Sequence, residues 1–435
     1  MIFRAEAHSP DSIVEVVLDD KLSSPLWNRR SFIKALGAGL SGLLAGPFKP
    51  FLYGAALTKS PLYWVEQVPD FPFSDPRYPN RHVGVECLLD LMGQKGDKFY
   101  RSAALSNLSG PQGLISADDV VLIKVNAQWK YRGATNSDVV RGLIQRILDH
   151  PDGFTGEVIL FENGQGRGSL NCDTSSSYGG DTSVHANALD ESHSFTYLIQ
   201  TIFNDPRVSG KLLDPVRKVF VSSANHANDG YRTYQNVSYP CFTTAGGRRV
   251  ELREGLWTGS GHSQKLKLIN VPVLKTHGGC EITASLKHFY GVLSMSDGYS
   301  GIRHYSKLGK TCGKMVVSVR TPVLNIVDAI WVSHLALQGY PAYKTFHARQ
   351  LLASQDPVAA DFWAAKHILY PIDRNPRHRP SATSVNTWLT QALNIINNRG
   401  GLYDSESGIR VGRVTKSVAN MNAYKANAGL FVPQA

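Results

Sequence analysis

Three consecutive stretches restrict what this chain can fold into. Val120–Val125 is an apolar run of strand length. Ser137–Leu148 puts Val139, Val140, Leu143, Ile144, Ile147 and Leu148 on one helical face, with Asn136 or Ser137 available as a cap. Glu157–Phe161 is a second buried strand. A strand, a helix and a strand joined this closely pair in parallel through a right-handed crossover, because a twisted strand feeding a right-handed helix packs back on the sheet only that way.

The alternation continues. Phe195–Phe203, Ile282–Leu293 and Val358–Leu369 have helical patterns, and Lys218–Ser222, Leu266–Val273, Val323–Ile330 and Leu351–Ser354 have strand patterns. The expected fold is α/β: an open, mostly parallel sheet with helices on both faces, three layers deep. Residues 57–114 are Pro- and aromatic-rich and predict an N-terminal arm with a helix near Val85–Met92. Residues 115–370 form the α/β domain, and 371–435 a C-terminal extension packed on it. Gly164–Ala188 and Ser296–Lys314 have the composition of long loops, the second carrying Arg303, Lys307, Lys310 and Lys314.

Of the 435 residues 42% are apolar and 19% charged, a balance that supplies a large core and excludes a disordered chain. Five cysteines are too few to staple the fold, and their odd number prevents complete internal pairing. Lys and Arg outnumber Asp and Glu by 46 to 35. That excess favours anionic ligands or an anionic envelope surface. Without a basic helix or an aromatic-basic motif, no nucleic-acid partner is expected.

Asn28-Arg29-Arg30-Ser31-Phe32-Ile33-Lys34 precedes a short, Gly-rich apolar run from Ala35 to Phe48. The run is too short to anchor the chain stably in a bilayer, so no stable membrane span is expected in the mature chain. The segment resembles a bacterial twin-arginine (Tat) export signal, with Asn28 and Ile33 departing from the usual residues. Gly54-Ala55-Ala56 supplies small residues for cleavage, so residues 1–56 are expected to be signal and leader. The resemblance implies the Tat translocase as a partner during export and a periplasmic or extracellular destination.

Four further stretches belong together: Ile123-Lys124-Val125-Asn126 with Thr135-Asn136; Val158–Phe161 ending in Glu162-Asn163-Gly164; LINVPVLKTHGGCEITASLKHFYG from Leu268 to Gly291; and Asn325-Ile326-Val327-Asp328 with Leu351–Ala365. They resemble the DUF362 family, a domain of undefined activity, over roughly residues 115–370. Val125 stands where the family usually has Pro, and His288 where it usually has Asn. Some relatives carry an iron–sulfur module. This chain lacks the Cys-x-x-Cys-x-x-Cys run, so the resemblance implies no cluster and the cofactor stays unassigned.

Lys124 and Asn126 end one expected strand and Glu162 and Asn163 the next; Asn225 and His226 follow a third, and Lys275 and His277 a fourth. In a parallel sheet such carboxyl ends share the edge where open α/β proteins bind ligands. Lys275, Lys287 and His277 are the candidate catalytic residues. The expected helix start at Glu281–Thr283 adds backbone donors for a carboxylate or phosphate. Lys124, Asn126, Asn136, Glu162, Asn163 and Thr283 are the candidate ligand contacts. His277, Glu162 and His226 are candidate metal ligands, and His185 and His288 are further candidates, although none has paired metal spacing. Asp328, Asp356 and Asp361 form an acidic counterpart, Asp356 as a helix cap.

Gly164-Gln165-Gly166-Arg167-Gly168 lacks dinucleotide-binding spacing, and Gly309-Lys310-Thr311 ends a P-loop pattern whose first Gly is replaced by His304. No Gly-x-Ser-x-Gly elbow occurs. Three functions remain open: an enzyme of unassigned reaction, a binding protein for an anionic solute, and a redox accessory protein.

Overall fold

Val120–Val125 pairs on both sides in a ten-stranded sheet. The computed structural model describes residues 60–73, 78–213, 219–294, 307–397 and 409–414. The strands begin with β1 (Ser60–Val65), the short pair β2 (Tyr100–Arg101) and β3 (Ser109–Gly110), then β4 (Val120–Val125), β5 (Glu157–Asn163) and β6 (Val208–Leu213). Next come β7 (Gly230–Tyr234), β8 (Val237–Thr243), β9 (Arg249–Glu251), β10 (Gly255–Trp257) and β11 (His262–Ser263), which form a separate antiparallel sheet. β12 (Leu266–Val271), β13 (Val273–His277), β14 (Glu281–Thr283), β15 (Leu324–Ser333), β16 (Thr345–Ser354) and β17 (Ile409–Val414) return to the main sheet.

The main sheet runs β17-β1-β16-β15-β12-β4-β5-β6, with β13 and β14 branching from β15. Among its described strands only β16 and β14 run against their neighbours. The fold is α/β, as the alternation of patterns requires. Successive strand residues point to opposite faces and so serve two cores. Val120 and Leu122 join a core with Leu286, Phe289, Leu308, Val358 and Trp388. Val121, Ile123 and Val125 join another with Val85, Leu88, Val140 and Ile144. Helices Val83–Gln94 and Ser137–Leu148 cover that second face. Asn136 caps the latter, its side chain accepting from the backbone N–H groups of Asp138 and Val139.

Several local expectations change. Residues 57–114 contain more than an arm: β1 is a fully buried strand between β16 and β17, antiparallel to the first and parallel to the second. The strand after β5 is β6, not Lys218–Ser222. Lys218 lies outside the described residues, and Phe220 makes one parallel bridge to Tyr231 that leads into the second sheet. That sheet was not foreseen. Its first hairpin turns on Gln235 and Asn236, both with positive φ, in the two-residue loop that matches strand twist.

The loop expected over Ser296–Lys314 is helical from Leu308 to Lys314, while Arg303 lies outside the described residues. Added Cβ atoms on Gly309 and Gly313 would meet Trp388 and Ala392, so this glycine pair serves close helix packing and not phosphate binding. The twin-arginine segment also lies outside the described residues. No helix among the described residues is long and apolar enough to cross a membrane.

Candidate ligand site at the carboxyl edge of the sheet

Pro272 shapes this edge. It separates β12 from β13 and offers no N–H to a neighbouring strand. The next donor, Val273 N, bonds to the Asn126 side chain instead of to β4. β12 therefore pairs with both β4 and β15, whereas β13 continues along β15 and pairs with β14. The sheet splays where the expected Leu266–Val273 strand would have stayed straight.

Lys124 and Glu162 meet across the ends of β4 and β5. The ammonium lies 2.9 Å from each Glu162 oxygen, 2.8 Å from the Val125 carbonyl and 2.9 Å from His288 Nε2. His288 Nδ1 lies 2.7 Å from Asn270 Oδ1, and the Asn270 amide donates to Ser285 and Asn325 oxygens. With the Asn270 oxygen facing the ring, Nδ1 carries the proton and Nε2 accepts from Lys124. Burial, then the Lys124 charge, hold His288 well below the usual histidine range. Glu162 also accepts from the backbone N–H groups of Ala127 and Asn163. Burial raises the Glu162 carboxyl, and Lys124 opposes that shift. Burial lowers the Lys124 ammonium, and Glu162 opposes it. The internal partners occupy the hydrogen-bonding capacity of Lys124, and they enclose Glu162 instead of leaving it open for a metal.

Lys275 is different. It is 2% exposed, and its ammonium donates to the Gly133 carbonyl. Burial pushes it down to about 7; Glu162 opposes the shift, while Lys287 and Lys124 add to it. Thr283 stands directly opposite Lys275 in the β13–β14 pair, so both side chains leave the same face. The Thr283 hydroxyl is buried and has no hydrogen-bond partner. Buried polar groups are normally satisfied, so an orphaned hydroxyl beside an under-used ammonium marks a place for another polar atom. Lys287 is half-buried with its ammonium 4.9 Å from the Tyr290 ring centre. Its charge acts on Lys124, Lys275 and His288. His277 is half-buried at the outer end of β13, its Nδ1 accepting from Gly279 N.

The helix expected from Ile282 begins later. Glu281–Thr283 is strand β14, followed by a short helix at Ser285–His288 and a 3-10 turn at Phe289–Val292. The Asp361 carboxyl already accepts from Ser285 N and Leu286 N. Those helix-start donors are therefore taken by the protein itself. Burial raises the Asp361 carboxyl to about 8.

The other candidates brace the edge. Asn126 ties β4 to β13, and Asn136 caps its helix while its N–H donates to Asp328. Asn163 donates to the Leu293 carbonyl. Asp356 caps helix Pro357–Trp363 and also accepts from the Ser60 hydroxyl. Burial raises the Asp328 carboxyl to about 7.

The structure brings together Lys124, Glu162, Lys275, Lys287, Thr283 and His288. It does not bring His226 to Glu162 and His277. His226 lies in the segment before β7, beside Glu251 and His262 of the second sheet. His185 stacks on Tyr131 and pairs with Glu191. Sequence spacing missed Glu251 and His262, because the β9–β10–β11 register joins those two and His226 reaches them from a separate segment before β7. All five cysteines are free and buried.

Residues 259–366 match the model of DUF362, a domain of unknown function. That span includes β13, β14 and Lys287, and supports the domain-family resemblance. No curated protein and no solved structure matches the chain.

Proposed function

We propose that this chain is an exported enzyme acting on a small anionic substrate at the splayed edge between β4 and β13. The observation that carries this reading is the Lys275–Thr283 pair. One contributes a buried ammonium anchored to a single carbonyl, the other a buried hydroxyl with no partner. Lys287 adds a second positive charge.

In this reading Thr283 and the lysines hold a carboxylate or phosphate. Lys275 moves the proton, because an amine near pH 7 exists in both protonation states at working pH. His277, at the outer end of the same strand, serves as a second acid–base group. Lys124 and Glu162 hold the edge in shape behind them.

The test is loss of substrate. The full chain is incubated with a mixture of anionic metabolites, and each component is followed by mass spectrometry. The reading expects at least one anion to be consumed by the wild type and spared by Lys275→Met. If the wild type consumes none of the anions, catalysis is excluded for that panel, and equal consumption by Lys275→Met removes Lys275 from the mechanism. The depth of Lys275 favours a second reading, a binding protein that retains its anion without turnover. Retention of an anion by the wild type, with no consumption, selects it.

A further inference from the structure

The second sheet gathers two imidazoles around one carboxylate. Glu251 on β9 is fully buried. Its Oε1 lies 2.5 Å from His226 Nδ1, and its Oε2 lies 2.9 Å from His262 Nε2. One ligand atom from each residue can be chosen so that all lie within 4.8 Å of one another. The side chains of His226 and His262 are about one-fifth exposed, so the group reaches solvent.

Strand register builds the group. Gly255 on β10 pairs with Glu251, and Trp257, two residues on, pairs with His262 on β11. Paired residues share a face, as do residues two apart, so Glu251, Trp257 and His262 emerge on one side of the sheet. His226 comes from the segment before β7. Its ring lies parallel to Trp257 at 3.7 Å, which fixes the plane of the imidazole. Arg232 on β7 donates to Glu251 Oε2 at 2.7 Å and to the Ser222 carbonyl at 3.0 Å.

We propose that His226, Glu251 and His262 form a binding site for a divalent transition-metal ion of the zinc, nickel or copper class. Neutral imidazoles and a carboxylate suit these ions, and three protein ligands leave a four-coordinate ion one position for water. Such an ion forms bonds of about 2.0–2.2 Å to imidazole nitrogen and carboxylate oxygen. Arg232 orients Glu251, as partners of metal-binding carboxylates do, and its guanidinium also lies 3.5 Å from His226 Nδ1. The Arg232 charge also weakens cation binding, so affinity below that of a four-ligand structural zinc site follows. This site shares no residue with the lysine-lined edge and does not rest on its function.

The experiment uses the full chain stripped with a chelator and titrated with Zn(II), with a chromophoric chelator as competitor. One Zn(II) per chain is expected to resist the competitor. His226→Gln and His262→Gln should each weaken binding by about 100-fold or more, while His185→Gln, which alters a histidine elsewhere, should leave it unchanged. Thermal unfolding with and without Zn(II) guards against misfolding: wild type should gain stability from the ion, and folded His226→Gln should gain none. Failure of the wild type to hold one Zn(II), Ni(II) or Cu(II) against the competitor overturns the proposal. Undiminished Zn(II) binding in both glutamine variants overturns it equally.

Discussion

The Lys124 ammonium sits 2.9 Å from each oxygen of the Glu162 carboxylate, with both side chains closed to solvent. Neither strand end alone could hold its charge there. Removing one partner leaves the other buried and unpaired, which costs about 3–5 kcal/mol. Lys124→Met should therefore unfold at much lower denaturant than wild type. The double variant Lys124→Met/Glu162→Gln should recover part of that loss, because no unpaired charge remains. Additive losses in the double-mutant cycle would show that the pair is not coupled.

Lys275 makes stability depend on pH in a calculable direction. Its ordinary value of 10.5 falls to about 7 in the folded chain. Between those values the unfolded chain binds the extra proton, so this group makes stability rise with pH from about 7 to about 10.5. Asp328 acts oppositely below that window, and Asp361 acts oppositely up to about pH 8, within its lower end. Burial raises them from 3.8 to about 7 and about 8, so the folded chain holds their protons longer and stability falls as pH rises between those limits. Denaturant midpoints measured across pH 7–10.5 should rise less steeply in Lys275→Met than in wild type. Identical slopes would remove Lys275 from this account.

Export makes a separate prediction, since Arg29 and Arg30 lie outside the described residues. Replacing both with Lys should keep the full-length chain in the cytoplasm of a bacterial host, as should deletion of the host's twin-arginine translocase. Fractionation followed by mass spectrometry reads the outcome. Equal export with and without that translocase would contradict the signal assignment.

The strand–helix–strand unit at 120–163 was legible because strand and helix periods differ and each stretch carries one cleanly. Lys275 and His277 stand out in the sequence because an apolar run precedes them, but they lie within β13, a strand of their own past Pro272. The splay at Pro272 was not legible, because it depends on Asn126 capturing Val273 N from a distant strand. The helix expected from Ile282 failed for a similar reason: Thr283 pairs with Lys275 as strand, and Asp361, seventy-six residues beyond Ser285, starts the helix. β1 is not legible because Pro61, Tyr63 and Trp64 break the aliphatic run that marks β4, a strand of the same length. His226 was misplaced because Phe220 makes one bridge, not a strand of the main sheet.

The most direct measurement is the pH dependence of anion binding at Lys275. Citrate and inorganic phosphate would be titrated into the full chain at pH 6 and pH 8.5, with Lys275→Met and Lys287→Met in parallel. An ammonium that loses its proton near pH 7 binds an anion more tightly at the lower pH, so wild-type affinity should fall by about tenfold or more between the two. Lys275→Met should bind weakly and with a flatter pH dependence, and Lys287→Met weakly at both values. Wild-type binding that is absent at pH 6, or equal binding by wild type and both variants, would contradict the lysine-lined edge as the ligand site.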